Sequence, residues 1–295
     1  MHTPGTVFRE HFIHVGGFRV RYLDGGRGPP VVLVPTMFLP ADSYRPTMAH
    51  LSQSFRVIAV DTPGTGKSQP LRERWGFERY ADWVADFLGV LGLGPVPVIG
   101  HSNAGGLVLV LAARHPRALS HAILADPIGA ARANSLWRLI PVHLAVGMLE
   151  LSFSALVFPH IVYNMTFHWG SFWNQIRIAP TDLTAYAPKV KVPTLLAWGG
   201  QDLTMPPDCA RRYQQLIPQS RIIQSPGGSH DWIIARPAQF AAAVVAFLSH
   251  QRCNGQPNRT APALPADPRS CQAVNDDVRR PRADTSRPTE ERAAP

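Results

Sequence analysis

The sequence predicts an α/β fold, a mostly parallel sheet with helices on both faces, and three features of the chain carry that reading. Short, almost wholly apolar runs recur along it, as strands buried on both faces of a parallel sheet require. Segments with helical spacing of apolar residues separate them. Two β-prone runs about Gly16 and Gly17 come before this alternation and read as a β-hairpin. A chain of 295 residues, 45% of them hydrophobic, is long enough to bury one large core.

The elements follow in order. "EHFIHVGGFRVRYLDGG" supplies the hairpin; its His11 and His14 lie three apart on a strand, point to opposite faces and do not chelate one ion. "PVVLV" (30–34) is a strand, "ADSYRPTMAHLSQS" (41–54) contains a helix, and "FRVIAV" (55–60) is the next strand. Tyr80, Val84, Phe87, Leu88 and Leu91 recur at helical spacing and lay one stripe on the sheet. "PVPVIG" (95–100) is a strand, and "AGGLVLVLAARHP" a buried helix stopped before Pro116. "SHAILAD" and "VPTLLAWGG" are strands separated by an apolar insertion. A helix near Cys209–Leu216, the strand "SRIIQ" and a helix over Pro237–Ser249 close the fold. This divides the chain into a core of residues 1–130 and 184–250, an insertion over 131–183, and a tail over 251–295. The tail holds seven prolines, eight arginines and no aromatic residue, so burial cannot offset its ordering entropy and it is expected to be disordered.

Composition excludes several functions. The net charge is +9, but 26 of the 29 basic residues are arginines scattered along the chain, with no basic cluster interleaved with aromatics, so no nucleic-acid partner is expected. Cys209, Cys253 and Cys271 have no metal-ligand spacing and predict neither a disulfide framework nor a metal site. The start, "MHTPGTVFREHF", lacks a charged region followed by an apolar one, and the expected location is cytoplasmic.

The stretch "DTPGTGKS" (61–68) after an apolar strand resembles the end of a phosphate-binding loop. That loop needs a glycine where this chain has Asp61, and a carboxylate there would repel phosphate. Pro70 removes an N–H where the loop's helix should be under way. The glycines therefore serve something other than a nucleotide.

"VIGHSNAGG" (98–106) places Ser102 between a buried strand and a buried helix, where a sharp turn presents its hydroxyl at the sheet's C-terminal edge. This resembles the nucleophile elbow of the α/β-hydrolases, with Ala104 in place of the second glycine. In that family the preceding strand commonly ends in Asp-x-Pro-Gly-x-Gly-x-Ser, which is similar to Asp61, Pro63, Gly64, Gly66 and Ser68; there the glycines form a tight turn. The resemblance spans roughly residues 8 to 250 and implies an α/β-hydrolase fold with a small helical cap at 131–183. It implies a triad in the order Ser102, Asp202 in "WGGQDLTMPP", His230 in "GGSHDWIIARPAQF", with Asp126 as a reserve acid. The implied oxyanion donors are the backbone N–H groups of Asn103 and Met37. The family's common His-Gly pair before the second donor is replaced here by Pro35-Thr36, which restricts that loop.

No metal or organic cofactor is implied. The implied reaction is hydrolysis of a carboxylic ester by a serine esterase. The same triad elsewhere in the family serves lactonases, carbon–carbon bond hydrolases, thioesterases and cofactor-free haloperoxidases, and a hydrolase-fold binding protein is the rival of another class. Leu139 to Phe158 is long enough to span a bilayer, but Pro141, His143 and Glu150 favour a lid over a membrane span. Whichever of Trp137, Leu144, Phe153, Phe158, Phe167, Trp169 and Trp173 face inward are expected to line a largely apolar pocket for a bulky or medium-chain hydrophobic ester or a large lactone, a small-molecule substrate.

Overall fold

The computed structural model describes residues 6–130 and 151–253; for 151–157, Ile161 and 250–253 it describes the backbone alone. Residues Met1–Ser249 form one compact unit. The second unit, His250–Pro295, lies outside the described residues except for the last turn of a helix that ends at Cys253, and the expected disordered tail falls there.

The strands are β1 (Arg9–Val15), β2 (Phe18–Gly26), β3 (Pro30–Val34), β4 (Arg56–Val60), β5 (Val96–His101), β6 (Leu119–Ala125), β7 (Thr194–Gly199) and β8 (Arg221–Ser225). They form one sheet in the order β1-β2-β4-β3-β5-β6-β7-β8. The β1–β2 and β2–β4 pairs are antiparallel and the remaining pairs parallel. The helices are α1 (Arg45–Leu51), α2 (Phe77–Val90), α3 (Asn103–Arg114), α4 (Leu151–Phe167), α5 (Trp169–Ile178), α6 (Pro207–Leu216), α7 (Trp232–Ala235) and α8 (Pro237–Cys253).

Side chains alternate across the sheet, so each strand feeds two cores. Val32, Val34, Ile58, Val60, Val98 and Leu124 pack with α2, α3 and α6 on one face. Val31, Leu33, Val57, Ala59, Ile99 and Ile123 pack with α1, α7 and α8 on the other. Burial on both sides is why these strands read as unbroken apolar runs. Because β3 lies between β4 and β5, the winding reverses there, and the loops leaving β3 and β5 part at the C-terminal edge to open a crevice.

The glycine-rich turn after β4 is built around a buried ion pair. Asp61 is buried and accepts hydrogen bonds from Ala41 N (2.7 Å), Lys67 N (3.1 Å) and Arg21 Nη1 (3.1 Å). A Cβ on Gly66 would lie 2.2 Å from Asp61 Oδ2, and Gly66 has φ of +51°, so glycine leaves room for a carboxylate here. Ser68 Oγ donates to Asp61 O (2.6 Å) and accepts from Arg21 N (2.9 Å), which fastens the turn to β2. Arg21, also buried, reaches Glu10 at 2.5 Å and Asp42 at 2.6 Å. Burial pushes the Asp61 carboxyl pKa up, against the Ala41 N–H and the Arg21 charge.

Removing one partner of such a pair strands the other charge. Arg21→Leu should cost about 3–5 kcal/mol in urea unfolding. Adding Asp61→Asn to that variant, which keeps an acceptor without the charge, should recover part of the loss.

Candidate active site

The end of β5 leads into Ser102, whose φ of 55° and ψ of −116° lie outside the ordinary regions, and Asn103 opens α3. The strained residue lifts the hydroxyl out of the strand-to-helix path. The turn is possible because the backbones pass closely. A Cβ on Gly100 would meet Ala104 O at 2.2 Å, and one on Gly105 would meet Pro127 Cα at 2.9 Å. The glycine requirement therefore falls at 100 and 105, and position 104 accommodates alanine.

Three loops at the C-terminal edge bring Ser102, His230 and Asp202 together, as the sequence implied. His230 Nε2 lies 2.9 Å from Ser102 Oγ, and His230 Nδ1 lies 2.8 Å from Asp202 Oδ2. All three residues are buried. Asp202 Oδ1 accepts the N–H groups of Thr204 and Met205, both at 2.8 Å, so its loop fixes the carboxylate from the far side. Burial opposes a charge on His230, but the Asp202 carboxylate and its hydrogen bond outweigh it and raise the imidazole pKa.

Asp126, the reserve acid, is used differently. With φ of +43°, it accepts from Gly199 N (2.7 Å) and Trp232 Nε1 (2.8 Å), bracing the acid loop against the segment after His230. Burial, and then the neighbouring Asp202 charge, push its pKa well up. Asp126, Asp202 and His230 hold donor atoms within 4.8 Å of one another. Those donors are already engaged: the imidazole nitrogens with Ser102 and Asp202, the Asp126 oxygens with Gly199 and Trp232. That set does not favour a metal ion.

The loop after β3 compensates for its missing glycine. Thr36 is not among the residues of positive φ, so the Pro35-Thr36 pair imposes no left-handed strain. Thr36 N donates to Tyr44 Oη at 3.1 Å and Thr36 O accepts from Leu39 N at 3.0 Å, which fixes the peptide that carries the Met37 N–H. Among the described residues neither Met37 N nor Asn103 N donates a hydrogen bond. Both are available to an oxyanion.

Comparison with known proteins agrees with this fold. A family model described as the alpha/beta hydrolase fold matches residues 29–151. The chain has the α/β-hydrolase fold. It is 26% identical to the 2-hydroxy-6-oxo-6-(2'-aminophenyl)hexa-2,4-dienoic acid hydrolase of Metapseudomonas resinovorans, over 83% of this chain and 93% of that one. Among solved structures, a membrane phospholipase A described as a bacterial virulence factor superposes with a TM-score of 0.73 at 22% identity, covering 83% of this chain and 87% of the other. The enol-lactonase of Burkholderia xenovorans LB400 superposes with a TM-score of 0.72 at 24% identity, covering 81% of this chain and all (100%) of the other.

One expectation for the insertion fails. Phe158, Phe167, Trp169 and Trp173 are 66%, 63%, 55% and 49% exposed and do not line a buried pocket. Trp137, Leu144 and the side chain of Phe153 lie outside the described residues. Among the described residues, the buried positions of α4 and α5 before Ile178 are instead polar: Asn164, His168, Ser171, Asn174 and Gln175 recur three or four apart, apart from the adjacent last pair. The reason is what they cover. The loops beneath present peptide groups with no sheet partner, and buried peptide groups must be paired. Asn164 Nδ2 donates to Phe38 O (2.8 Å), Leu71 N donates to Ser171 Oγ (3.0 Å), and Asn174 pairs with both Trp75 N (3.2 Å) and Trp75 O (3.0 Å). Tyr44 and Asn164 also escaped sequence reasoning, since no local pattern marks a side chain whose partner is a distant loop.

A base must be unprotonated at Nε2 to accept a proton, so the raised His230 pKa sets the pH at which activity appears. The acidic limb of kcat/KM should lie above the ordinary histidine value of 6.5. Asp126→Asn keeps an acceptor for the Gly199 or the Trp232 donor and should cost less than about tenfold in kcat/KM. Asp202→Asn should lower kcat by about 10⁴-fold. The reverse ranking in pH-dependent kinetics would make Asp126 the acid.

Proposed function

We propose that the protein is a serine hydrolase that cleaves a carboxylic ester or lactone through an acyl-enzyme. The observation that carries this is the continuous hydrogen-bonded chain from Ser102 through His230 to Asp202. Ser102 Oγ attacks the carbonyl carbon as its proton passes to His230 Nε2, and Asp202 stabilises the imidazolium through Nδ1–H. The Met37 and Asn103 N–H groups receive the developing oxyanion. His230 returns the proton to the departing alkoxide, and the carbon–oxygen bond breaks. Water, deprotonated by His230, then attacks the acyl carbon, releasing the acid and restoring Ser102.

The insertion acts as a cap with a polar underside, and this favours an acyl group that carries polar substituents. Asn103 Nδ2, one residue after the nucleophile, and Asn164 Oδ1, on the side chain that grips Phe38, are buried without partners among the described residues. An unpaired buried group of this kind costs about 1–3 kcal/mol, which a substrate hydroxyl or carbonyl would recover. The same observation favours a second reading, hydrolysis of a carbon–carbon bond in an oxo acid, the type of compound named for the Metapseudomonas resinovorans relative. There the carbon leaving group, instead of an alkoxide, takes the proton.

A fluorophosphonate should label Ser102, and Ser102→Ala should abolish labelling and lower kcat by about 10⁴-fold or more without unfolding the chain. Undiminished turnover in that variant would refute the mechanism. An ester or lactone with a hydroxyl beside the acyl carbonyl should give a higher kcat/KM than its unsubstituted analogue. Asn103→Leu should shrink that preference by about fivefold or more. Turnover of an oxo acid with release of a carbon acid, and no turnover of esters, would select the second reading.

A further inference from the structure

The elbow histidine, His101, belongs to neither the triad nor the oxyanion hole, yet it is fully engaged. Tyr44 Oη lies 2.7 Å from His101 Nδ1, and His101 Nε2 lies 3.0 Å from His230 O. Thr36 N lies 3.1 Å from the same Tyr44 Oη. The directions along this row follow from chemistry. A peptide N–H only donates, so Tyr44 Oη accepts from Thr36. A carbonyl only accepts, so His101 Nε2 carries the proton and donates to His230 O. Nδ1 of that neutral ring is then bare and accepts from the Tyr44 hydroxyl. Each donor meets one acceptor, with no alternative assignment of protons in a neutral ring.

The surroundings keep it so. Tyr44 is wholly buried and His101 nearly so. Burial, and then the charge of His230, push the His101 pKa down to about 3, while burial holds the Tyr44 hydroxyl well above its usual value, as a phenol. Among the described residues the carboxylate within ion-pair range of His101 is Asp231, whose Oδ1 lies at 3.7 Å from Nε2, beyond hydrogen-bond distance. The ring of Tyr44 meets that of His101 edge-on with centroids 5.9 Å apart. Both ends of the row lie at reacting groups. One end is Thr36, whose carbonyl shares a peptide with the Met37 N–H; the other is the backbone of the base itself. His101 also precedes the nucleophile directly in the chain.

We propose that Tyr44 and His101 are positioning residues which set the separation between the oxyanion loop and the His230 base across the nucleophile. This rests on the serine-hydrolase reading. The row does for this loop what a flexible glycine does elsewhere: Pro35-Thr36 cannot adapt its backbone to the transition state, so the loop is held in place from behind. Its contribution therefore belongs to the transition state, which needs donor and base in register, more than to substrate binding.

The test uses the full chain and two measurements, steady-state kinetics and the rate at which a fluorophosphonate phosphonylates Ser102. Tyr44→Phe deletes one oxygen, and His101→Leu deletes both ring nitrogens. Each should lower kcat roughly tenfold to a hundredfold with KM nearly unchanged, and slow phosphonylation in parallel. His101→Gln keeps one acceptor and one donor and should restore much of the rate. The double variant Tyr44→Phe with His101→Leu should be little worse than the worse single one, because both break the same row. Should His101→Leu fail to fold, Tyr44→Phe and His101→Gln carry the test. Unchanged phosphonylation in Tyr44→Phe, or kcat losses that merely multiply in the double variant, would overturn the proposal. A wild-type chain whose Ser102 takes no label would instead overturn the serine-hydrolase reading on which it rests.

Discussion

The structure depends on holding a carboxylate away from water at Asp202 without leaving it unsatisfied. A buried charge of this kind is tolerable only when every lone pair is occupied. The Thr204 and Met205 N–H groups occupy one oxygen and His230 the other, so the loop after β7 and the loop after β8 are each folded around the same group. Orientation of the imidazole follows. Its second nitrogen then has one direction in which to point, and the elbow at Ser102 stands there. Asp126 stays out of this arrangement because its two oxygens are taken by Gly199 N and Trp232 Nε1.

A similar logic governs the opposite side of the crevice. Asp61 organises the turn after β4, the start of the 3₁₀ turn at Ala41 and the side chain of Arg21, all through hydrogen bonds to one buried carboxylate. The two buried acids do opposite electrostatic work. Asp61 is neutralised by a permanent cation, which suits a fixed scaffold. Asp202 faces a group whose charge changes, which suits a site where a proton is to be moved.

The elements that were legible in the sequence are those governed by local rules. Apolar runs marked β3 to β7, helical spacing marked α2 and α3, and the glycines near 16, 64, 66 and 100 marked turns that only small residues permit. Ser102, Asp202 and His230 were legible because each sits on a short loop with a recognisable neighbourhood, and their chain order matches a known pattern. What the sequence hid is set by distant partners. Nothing around Tyr44 announces His101, 57 residues on, and nothing around Asn164 announces Phe38, 126 residues back. The insertion misled for a related reason: its aromatic residues suggest an apolar lining, whereas the peptide groups of the loops beneath it called for amides and hydroxyls.

That polar underside changes how the insertion and the sheet hold together. Two oily surfaces can slide over each other at little cost, because dispersion and burial depend weakly on register. Asn164 and Asn174 instead grip particular peptide groups, and a shift of one or two ångströms breaks these bonds outright. The contact therefore behaves as a set of latches: it is either in register, with the loop at Phe38 held, or released. Displacement of α4 is accordingly felt at the loop that carries Met37 as a discrete event, even though no residue of α4 touches Ser102 through a recorded hydrogen bond among the described residues.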